Sequence, residues 1–200
     1  MIKRKFLIMP IVLGAMAFFV ACESDDDSST PASEVVIDAS AYDSWTYFSF
    51  DADTVVSIDN FSTSTAWDIA FHRSDIRVNC GQSGPGLGGS YSFGAIDYNS
   101  VKEAPSDGYS LNTTINILES YTMPPVYVTV PGDTLVSKWL TIVTSNTAAP
   151  TYTFSDNIYA IRTASGKYAK IWLKDYFNEQ GKGGYITMKY QYQPNGSREF

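Results

Sequence analysis

From Val35 onward, short runs of β-branched and aromatic residues alternate with turn residues at short intervals. Such runs favour strands, and the turns between them favour antiparallel hairpins. In the last run, Tyr185 to Tyr192, apolar and polar side chains alternate, so Met188 is expected on the apolar face. Apolar spacing typical of a long helix is absent from the sequence, and only a brief helix around Lys138 is expected. The sequence therefore predicts an all-β, mostly antiparallel, sandwich-like fold with long loops.

Three pairs of these runs are close enough in sequence to predict hairpins, namely 45–50 with 55–58, 67–71 with 75–78, and 158–162 with 168–173. Further short strands are expected at 35–37, 115–118, 127–130, 139–143, 152–154 and 185–192. We expect them to form a single domain over residues 35–200, a length sufficient for a substantial core.

The first 21 residues have the pattern of an export signal. Lys3, Arg4 and Lys5 precede an apolar run over 6–20, which is shorter than the roughly 20 residues that span a bilayer. The sequence at 19–22, Phe-Val-Ala-Cys, resembles the lipobox of bacterial lipoproteins, in which the cysteine becomes the lipidated first residue. This resemblance implies lipidation of Cys22; the alternative is an ordinary signal with a chance cysteine.

The segment 22–34 begins with acidic and polar residues, and this composition predicts a flexible tether. The acidic stretch Glu23–Asp27 resembles the surface-export signal of Bacteroidetes lipoproteins, and the alternative is a solvated linker. Without the signal, 11 basic residues remain against 21 acidic ones, a net charge of −10. Such a charge opposes binding to nucleic acid and anionic lipid, so the lipid anchor alone is expected to hold the protein at the membrane.

Patterns that suggest chemistry are few. Gly84–Gly89 matches G-x-G-x-x-G, but a strand-like segment follows it, so a structural glycine loop is favoured over a nucleotide site. His72 is the only histidine, and without a nucleophile elbow we expect it to be part of the hydrogen-bonded scaffold. With Cys22 lipidated, Cys80 is the one free thiol and is expected to be buried. One histidine and one thiol are too few for a zinc site of the usual composition. Because none of these patterns indicates catalysis, a binding protein is favoured over an enzyme.

Several segments, in order, resemble lipoproteins of the HmuY family. They are Trp45-Thr46-Tyr47-Phe48-Ser49-Phe50, Trp67-Asp68-Ile69-Ala70-Phe71-His72-Arg73, Asn79-Cys80-Gly81-Gln82-Ser83-Gly84 through Gly88-Gly89, Pro150-Thr151-Tyr152 and Gly166-Lys167-Tyr168-Ala169-Lys170. The likeness extends from about Val35 to Tyr192 and is weakest over 110–147. It implies an all-β, haemophore-like protein on the outer-membrane surface of Bacteroidetes that passes haem to a TonB-dependent receptor.

The resemblance also implies where haem iron would be held, on two loops in the later half of the domain. Met123 lies in the first of these regions and is the candidate axial ligand, while packing of Met123 against the domain is the alternative. The second region falls near 143–146 and offers neither histidine nor methionine. Four nearby aromatic residues either line a slot for a flat macrocycle or belong to the core: Tyr121, Tyr127, Trp139 and Tyr152.

Two functions follow from this sequence. The first is a surface lipoprotein that binds haem or a related tetrapyrrole for iron acquisition. The second is an HmuY-like scaffold that lacks haem binding and takes another tetrapyrrole, a hydrophobic ligand or a protein partner, because no second iron ligand is identifiable. A secreted hydrolase is the least favoured alternative, since no nucleophile elbow or metal set is visible.

Overall fold

The computed structural model describes residues 30–145 and 147–200; the predicted signal, Cys22, most of the predicted tether and Asn146 lie outside them. Two short 3-10 helices, Tyr98–Ser100 and Val136–Trp139, accompany the strands. The strands are β1 (Ser33–Asp38), β2 (Thr46–Ser49), β3 (Thr54–Val56), β4 (Ile69–His72), β5 (Asp75–Val78), β6 (Gly89–Gly94), β7 (Thr113–Ser120), β8 (Val126–Gly132), β9 (Leu140–Val143), β10 (Thr151–Phe154), β11 (Ile158–Arg162), β12 (Tyr168–Phe177) and β13 (Gly183–Gln193).

The strands form two sheets and two separate hairpins. The large sheet has the order β1-β13-β12-β11-β6, and the small sheet has the order β3-β2-β4-β5. β7 and β8 pair as the long hairpin, and β9 and β10 pair as the short hairpin. All neighbouring strands are antiparallel, which confirms the predicted all-β fold.

The hydrophobic core lies between the two sheets. Phe48 and Phe71 of the small sheet and Ile171, Ile186 and Met188 of the large sheet are all fully buried in one cluster. The Phe48 ring meets the Tyr190 ring edge-to-face across the sheets, with centroids 5.7 Å apart. Removing these apolar faces from water is the main force that holds the sheets together, and the predicted core position of Met188 is confirmed.

All three predicted hairpins are present, as β2 with β3, β4 with β5 and β11 with β12. The helix expected around Lys138 is a four-residue 3-10 helix. β1 begins at Ser33, within the last two residues of the segment assigned to the tether. Gln191, on the polar face of β13, is buried beside its cross-strand neighbour Lys170. The rings of Tyr98 and Phe200 cover Lys170 here, with its Nζ 4.4 and 5.1 Å from their centroids.

The glycine-rich loop wraps around the buried side chain of Asn79. The Nδ2 atom of Asn79 donates to Ser64 O and Trp67 O, and its Oδ1 accepts from Gly86 N. A Cβ atom at Gly88 would lie 2.4 Å from Asn79 O, so this position has no room for a side chain. β6 follows the loop rather than a helix, so the glycines serve close packing and the loop lacks the helix that a dinucleotide site requires.

No helix in residues 30–145 and 147–200 is long and apolar enough to cross a lipid bilayer.

Candidate functional site

A cleft of about 260 Å³ opens between the two hairpins and the turn that joins β4 to β5, and we call it the hairpin cleft. The long hairpin contributes Leu118 and Tyr121, and the short hairpin contributes Ile142 and Tyr152. The whole lining comprises Tyr42, Arg73, Ser74, Asp75, Leu118, Tyr121, Ile142, Thr144, Pro150, Tyr152 and Tyr176. The two hairpins and the β4–β5 turn thus bring segments distant in sequence to one opening.

Aromatic rings and one arginine form a continuous row along the cleft. The Tyr121 and Tyr42 ring centroids are 6.1 Å apart, and the Arg73 guanidinium carbon lies 4.4 Å from the Tyr42 centroid. The same carbon lies 5.5 Å from the Tyr176 ring, which in turn is 5.9 Å from the Tyr152 ring. Burial raises the pKa of the Tyr176 hydroxyl to about 12, so this ring stays neutral. Within this row Tyr121 and Tyr152 are exposed, whereas Tyr176 is buried, so these two rings are the ones available to a planar ligand.

Arg73 is fixed in the cleft wall by the backbone around it. Its φ angle of 54° is in the left-handed region, which the tight β4–β5 turn requires. Its Nη1 atom donates to Ser40 O and Gly183 O, each at 3.0 Å. Within residues 30–145 and 147–200 Arg73 forms no ion pair, so its positive charge is available to an anionic group in the cleft.

Large hydrophobic side chains are exposed mainly on the two hairpins. Seven of the twelve exposed large hydrophobic residues in the described part of the chain lie between positions 121 and 152. They are Tyr121, Met123, Val126, Tyr127, Ile142, Val143 and Tyr152. An apolar patch concentrated in this way marks a binding surface, because scattered exposed apolar residues are normal but clustered ones are not.

The structure places the predicted site residues at different points of this patch. Tyr121 lines the cleft and is 79% exposed, whereas Met123 is 96% exposed at the tip of the long hairpin and is not part of the lining. Tyr127 lies directly opposite Leu118 in the hairpin register, so its side chain is on the cleft-facing side. Met123 therefore does not pack against the domain, which was the alternative to a ligand role.

The short hairpin carries the region expected for a second ligand. Thr144 lines the cleft, so both predicted regions reach the same opening, and Asn146 is outside the described residues. Of the two alternatives for the aromatic residues, a ligand slot or the core, Tyr152 takes the first position and lines the cleft. Trp139 is instead a core residue, fully buried with its Nε1 donating to Ser74 O at 2.9 Å.

His72 is 1% exposed and hydrogen-bonded into the scaffold. Its Nε2 lies 2.7 Å from Tyr42 O, and its Nδ1 lies 3.5 Å from Asp75 Oδ2. A carbonyl oxygen can only accept, so Nε2 carries a hydrogen and has no lone pair for iron. Residues 30–145 and 147–200 contain no cluster of three or more His, Cys, Asp or Glu side chains that could hold a metal ion.

Sequence reasoning missed Tyr42, Arg73, Ile142 and Tyr176 as members of the site. Tyr42 lies in an irregular segment before β2, and Tyr176 belongs to a strand whose other residues build the core. No local pattern distinguishes these residues from ordinary scaffold aromatics. Only the tertiary packing of the hairpins against the β4–β5 turn brings them together.

Comparison with known proteins decides the family. The sequence model described as HmuY protein matches residues 41–190, which include both sheets for the most part and both hairpins. The chain belongs to the HmuY family. This confirms the resemblance drawn from the sequence segments.

Solved structures of HmuY-like proteins share the fold. A protein of Bacteroides vulgatus ATCC 8482, described as HmuY-like and haem-binding, is 28% identical with a TM-score of 0.67, over 82% of this chain and 93% of that one. The apo HmuY analog of Tannerella forsythia is 22% identical with a TM-score of 0.66, over 85% and 100%. A protein of Bacteroides fragilis NCTC 9343 described as a lipoprotein is 23% identical with a TM-score of 0.63, over 82% and 91%. Curated proteins give no match.

Proposed function

We propose that this HmuY-family protein is a haem-binding, haemophore-like lipoprotein that holds the tetrapyrrole between its two hairpins. The observation that carries the proposal is the concentration of exposed aromatic and aliphatic side chains on the hairpin ends, on both sides of one cleft. The description of the Bacteroides vulgatus relative as haem-binding supports the same ligand class.

The residues present fit a flat, largely apolar ring with acidic substituents. Tyr121 and Tyr152 offer ring faces from opposite hairpins, and Ile142 adds an aliphatic contact. Arg73 offers an unpaired guanidinium beside these rings, suited to a carboxylate of the ligand. Tyr127 adds a second aromatic side chain on the cleft-facing side of the long hairpin.

Met123 is the candidate axial ligand for haem iron. Its thioether is free of packing contacts that would hold it elsewhere, because the side chain is almost fully exposed at the hairpin tip. A thioether is a weak ligand, and one methionine alone leaves the opposite face of the iron without a protein donor of the usual kinds. Bound haem would supply iron as cargo for acquisition, and the protein's own part is to bind and shield the ring.

We further propose that Cys22 carries the lipid anchor, that the protein is displayed on the outer-membrane surface, and that it delivers haem to a TonB-dependent receptor. The Bacteroides fragilis relative described as a lipoprotein supports the anchoring, and family membership supports the role. The role is binding rather than catalysis.

The test is a haem titration of residues 23–200, followed by absorbance of the Soret band under oxidising and reducing conditions. We expect saturable binding, with a shifted Soret band that Met123→Ala weakens. Met188→Leu is the matched control, because it replaces a buried methionine of similar volume in the core. An identical spectrum in wild type and Met123→Ala would refute the ligand role of Met123, even if haem still bound.

A second function is favoured by two observations. The cleft of about 260 Å³ is smaller than typical ligand pockets, which are about 300–1,000 Å³, and Thr144 and Ser145 offer no iron donor. The scaffold would then bind a metal-free tetrapyrrole, another hydrophobic ligand or a protein partner. Titration with protoporphyrin IX separates the two: equal affinity for the metal-free ring and for haem would show that iron ligation contributes nothing.

A further inference from the structure

A second cavity, of about 470 Å³, lies at the glycine-rich loop, and we call it the loop cavity. Gly86, Gly88 and Gly166 expose bare backbone on its walls, and Arg162 and Tyr168 supply its polar side chains. None of its lining residues lies in the hairpin cleft. Its volume falls within the range usual for small-molecule sites.

Arg162 enters this cavity without an acidic partner. It is the last residue of β11 and lies directly opposite Tyr168 of β12, so the two side chains share one face of the large sheet. Its Nη2 donates to Gly88 O at 3.3 Å, and its guanidinium carbon is 4.9 Å from the Tyr109 ring centroid. No carboxylate lines the cavity, and Arg162 forms no ion pair within the described residues.

Two buried hydrogen-bond donors lack partners here, one on Arg162 and one on the neighbouring Tyr109, and only Arg162 lines the cavity. Arg162 Nε and the Tyr109 hydroxyl are both buried, and neither has a hydrogen-bond partner among the described residues. A buried donor without a partner is costly, and such groups commonly mark a place where water or a ligand supplies the acceptor. The guanidinium stays charged under all ordinary conditions, so an anionic acceptor would satisfy it best.

The mouth of the loop cavity is apolar. Leu87 is 66% exposed and Leu111 is 54% exposed, and both line the cavity. The backbone N–H groups of Leu87 and Gly88 already donate to Ala164 O and Asn79 O, so the loop itself is not an anion-binding nest. Charge recognition therefore rests on Arg162, and the leucines offer contact to an apolar chain.

We propose that the loop cavity binds a small organic carboxylate with an apolar chain, its carboxylate on Arg162 and its chain against Leu87 and Leu111. The site is independent of the tetrapyrrole site between the hairpins. Cys80 at the base of the cavity takes no part, because burial raises the pKa of its thiol to about 11.

Calorimetric titration with hexanoate and hexanamide, which differ in charge but not in chain, tests the proposal. We expect hexanoate to bind at least about tenfold more tightly, as hydrogen bonds to charged groups are stronger than those to neutral ones. In a series from butanoate to hexanoate, affinity should rise about fourfold for each added methylene. Equal affinity for hexanoate and hexanamide, or no binding of hexanoate, would overturn the proposal.

Variants locate the site. Arg162→Gln should remove the preference for hexanoate, whereas Arg198→Gln should retain it, because Arg198 is paired with Glu103 and does not line the cavity. Leu111→Asp, at a position that is 54% exposed, should weaken hexanoate binding more than hexanamide binding by placing a like charge at the mouth. Haem affinity should be the same in wild type and Arg162→Gln. Unchanged hexanoate binding in both Arg162→Gln and Leu111→Asp, or loss of haem binding in Arg162→Gln, would contradict a separate carboxylate site.

Discussion

Asp68 ties the two sheets together through a buried carboxylate. Its Oδ2 accepts from Phe50 N at 2.8 Å at the end of β2, and its Oδ1 accepts from Ala164 N at 2.9 Å in the β11–β12 turn. Phe50 follows the small sheet and Ala164 belongs to a turn of the large sheet, so one side chain closes this end of the sandwich. Burial raises the pKa of the Asp68 carboxyl, although both hydrogen bonds oppose the shift.

Replacing Asp68 by alanine leaves two buried backbone N–H groups without acceptors. Each such group costs about 1–3 kcal/mol, so Asp68→Ala should lower the free energy of unfolding by about 2–6 kcal/mol. Asp68→Asn should fall between wild type and Asp68→Ala, because its amide keeps one acceptor oxygen but turns an NH₂ group toward the other N–H. Removing a buried charge offsets part of the loss, so the lower half of the range is expected.

Urea unfolding of residues 23–200, followed by tryptophan fluorescence, measures this effect. Asp59→Ala is the control, since Asp59 is exposed and its replacement should change stability by less than about 0.5 kcal/mol. An unchanged dependence on urea concentration would show that the unfolded states are comparable. A loss below about 1 kcal/mol in Asp68→Ala would refute the bridging role of this carboxylate.

Two further predictions concern buried groups. Burial raises the pKa of the Asp133 carboxyl, whose Oδ2 has no hydrogen-bond partner among the described residues. The folded state therefore binds the proton of this carboxyl more tightly than the unfolded state does. The contribution of Asp133 to stability consequently falls as the pH rises from the unfolded to the folded pKa. Asp133→Asn should therefore gain stability relative to wild type more at pH 7 than at pH 4 in urea unfolding, and an equal difference at both values would contradict this. Burial raises the pKa of the Cys80 thiol to about 11, so a thiol reagent at pH 8 should label it only after urea is added; rapid labelling of the folded protein would show that the thiol is accessible.

Most of the fold could be predicted because it depends on local patterns. The alternation in Tyr185–Tyr192 identified the buried face of β13, and turn residues between apolar runs identified three hairpins. The burial of part of the polar face of β13 depends instead on distant segments. The rings of Tyr98 and Phe200 cover Lys170, the cross-strand neighbour of Gln191, and nothing in the sequence of β13 indicates such a cover.

The candidate site was harder to predict because its parts come from distant segments. The resemblance to the HmuY family led to Met123 and Tyr121, and both lie on the long hairpin, with Tyr121 in the cleft lining and Met123 at the exposed tip. Arg73 could not be assigned to the site from the sequence. Its position in the cleft depends on the left-handed turn after β4 and on backbone carbonyls of two other segments. The loop cavity likewise results from how the glycine loop packs on Asn79.

Amide hydrogen exchange of residues 23–200, with and without haem, tests the central claim most directly, because it reports where the ligand binds. We predict that haem slows exchange in the hairpin ends around Tyr121 and Tyr152 and in the turn at Arg73, while the loop cavity around Gly86 is unaffected. Protection confined to segments away from the hairpins, or no protection at saturating haem, would contradict a tetrapyrrole site between the two hairpins.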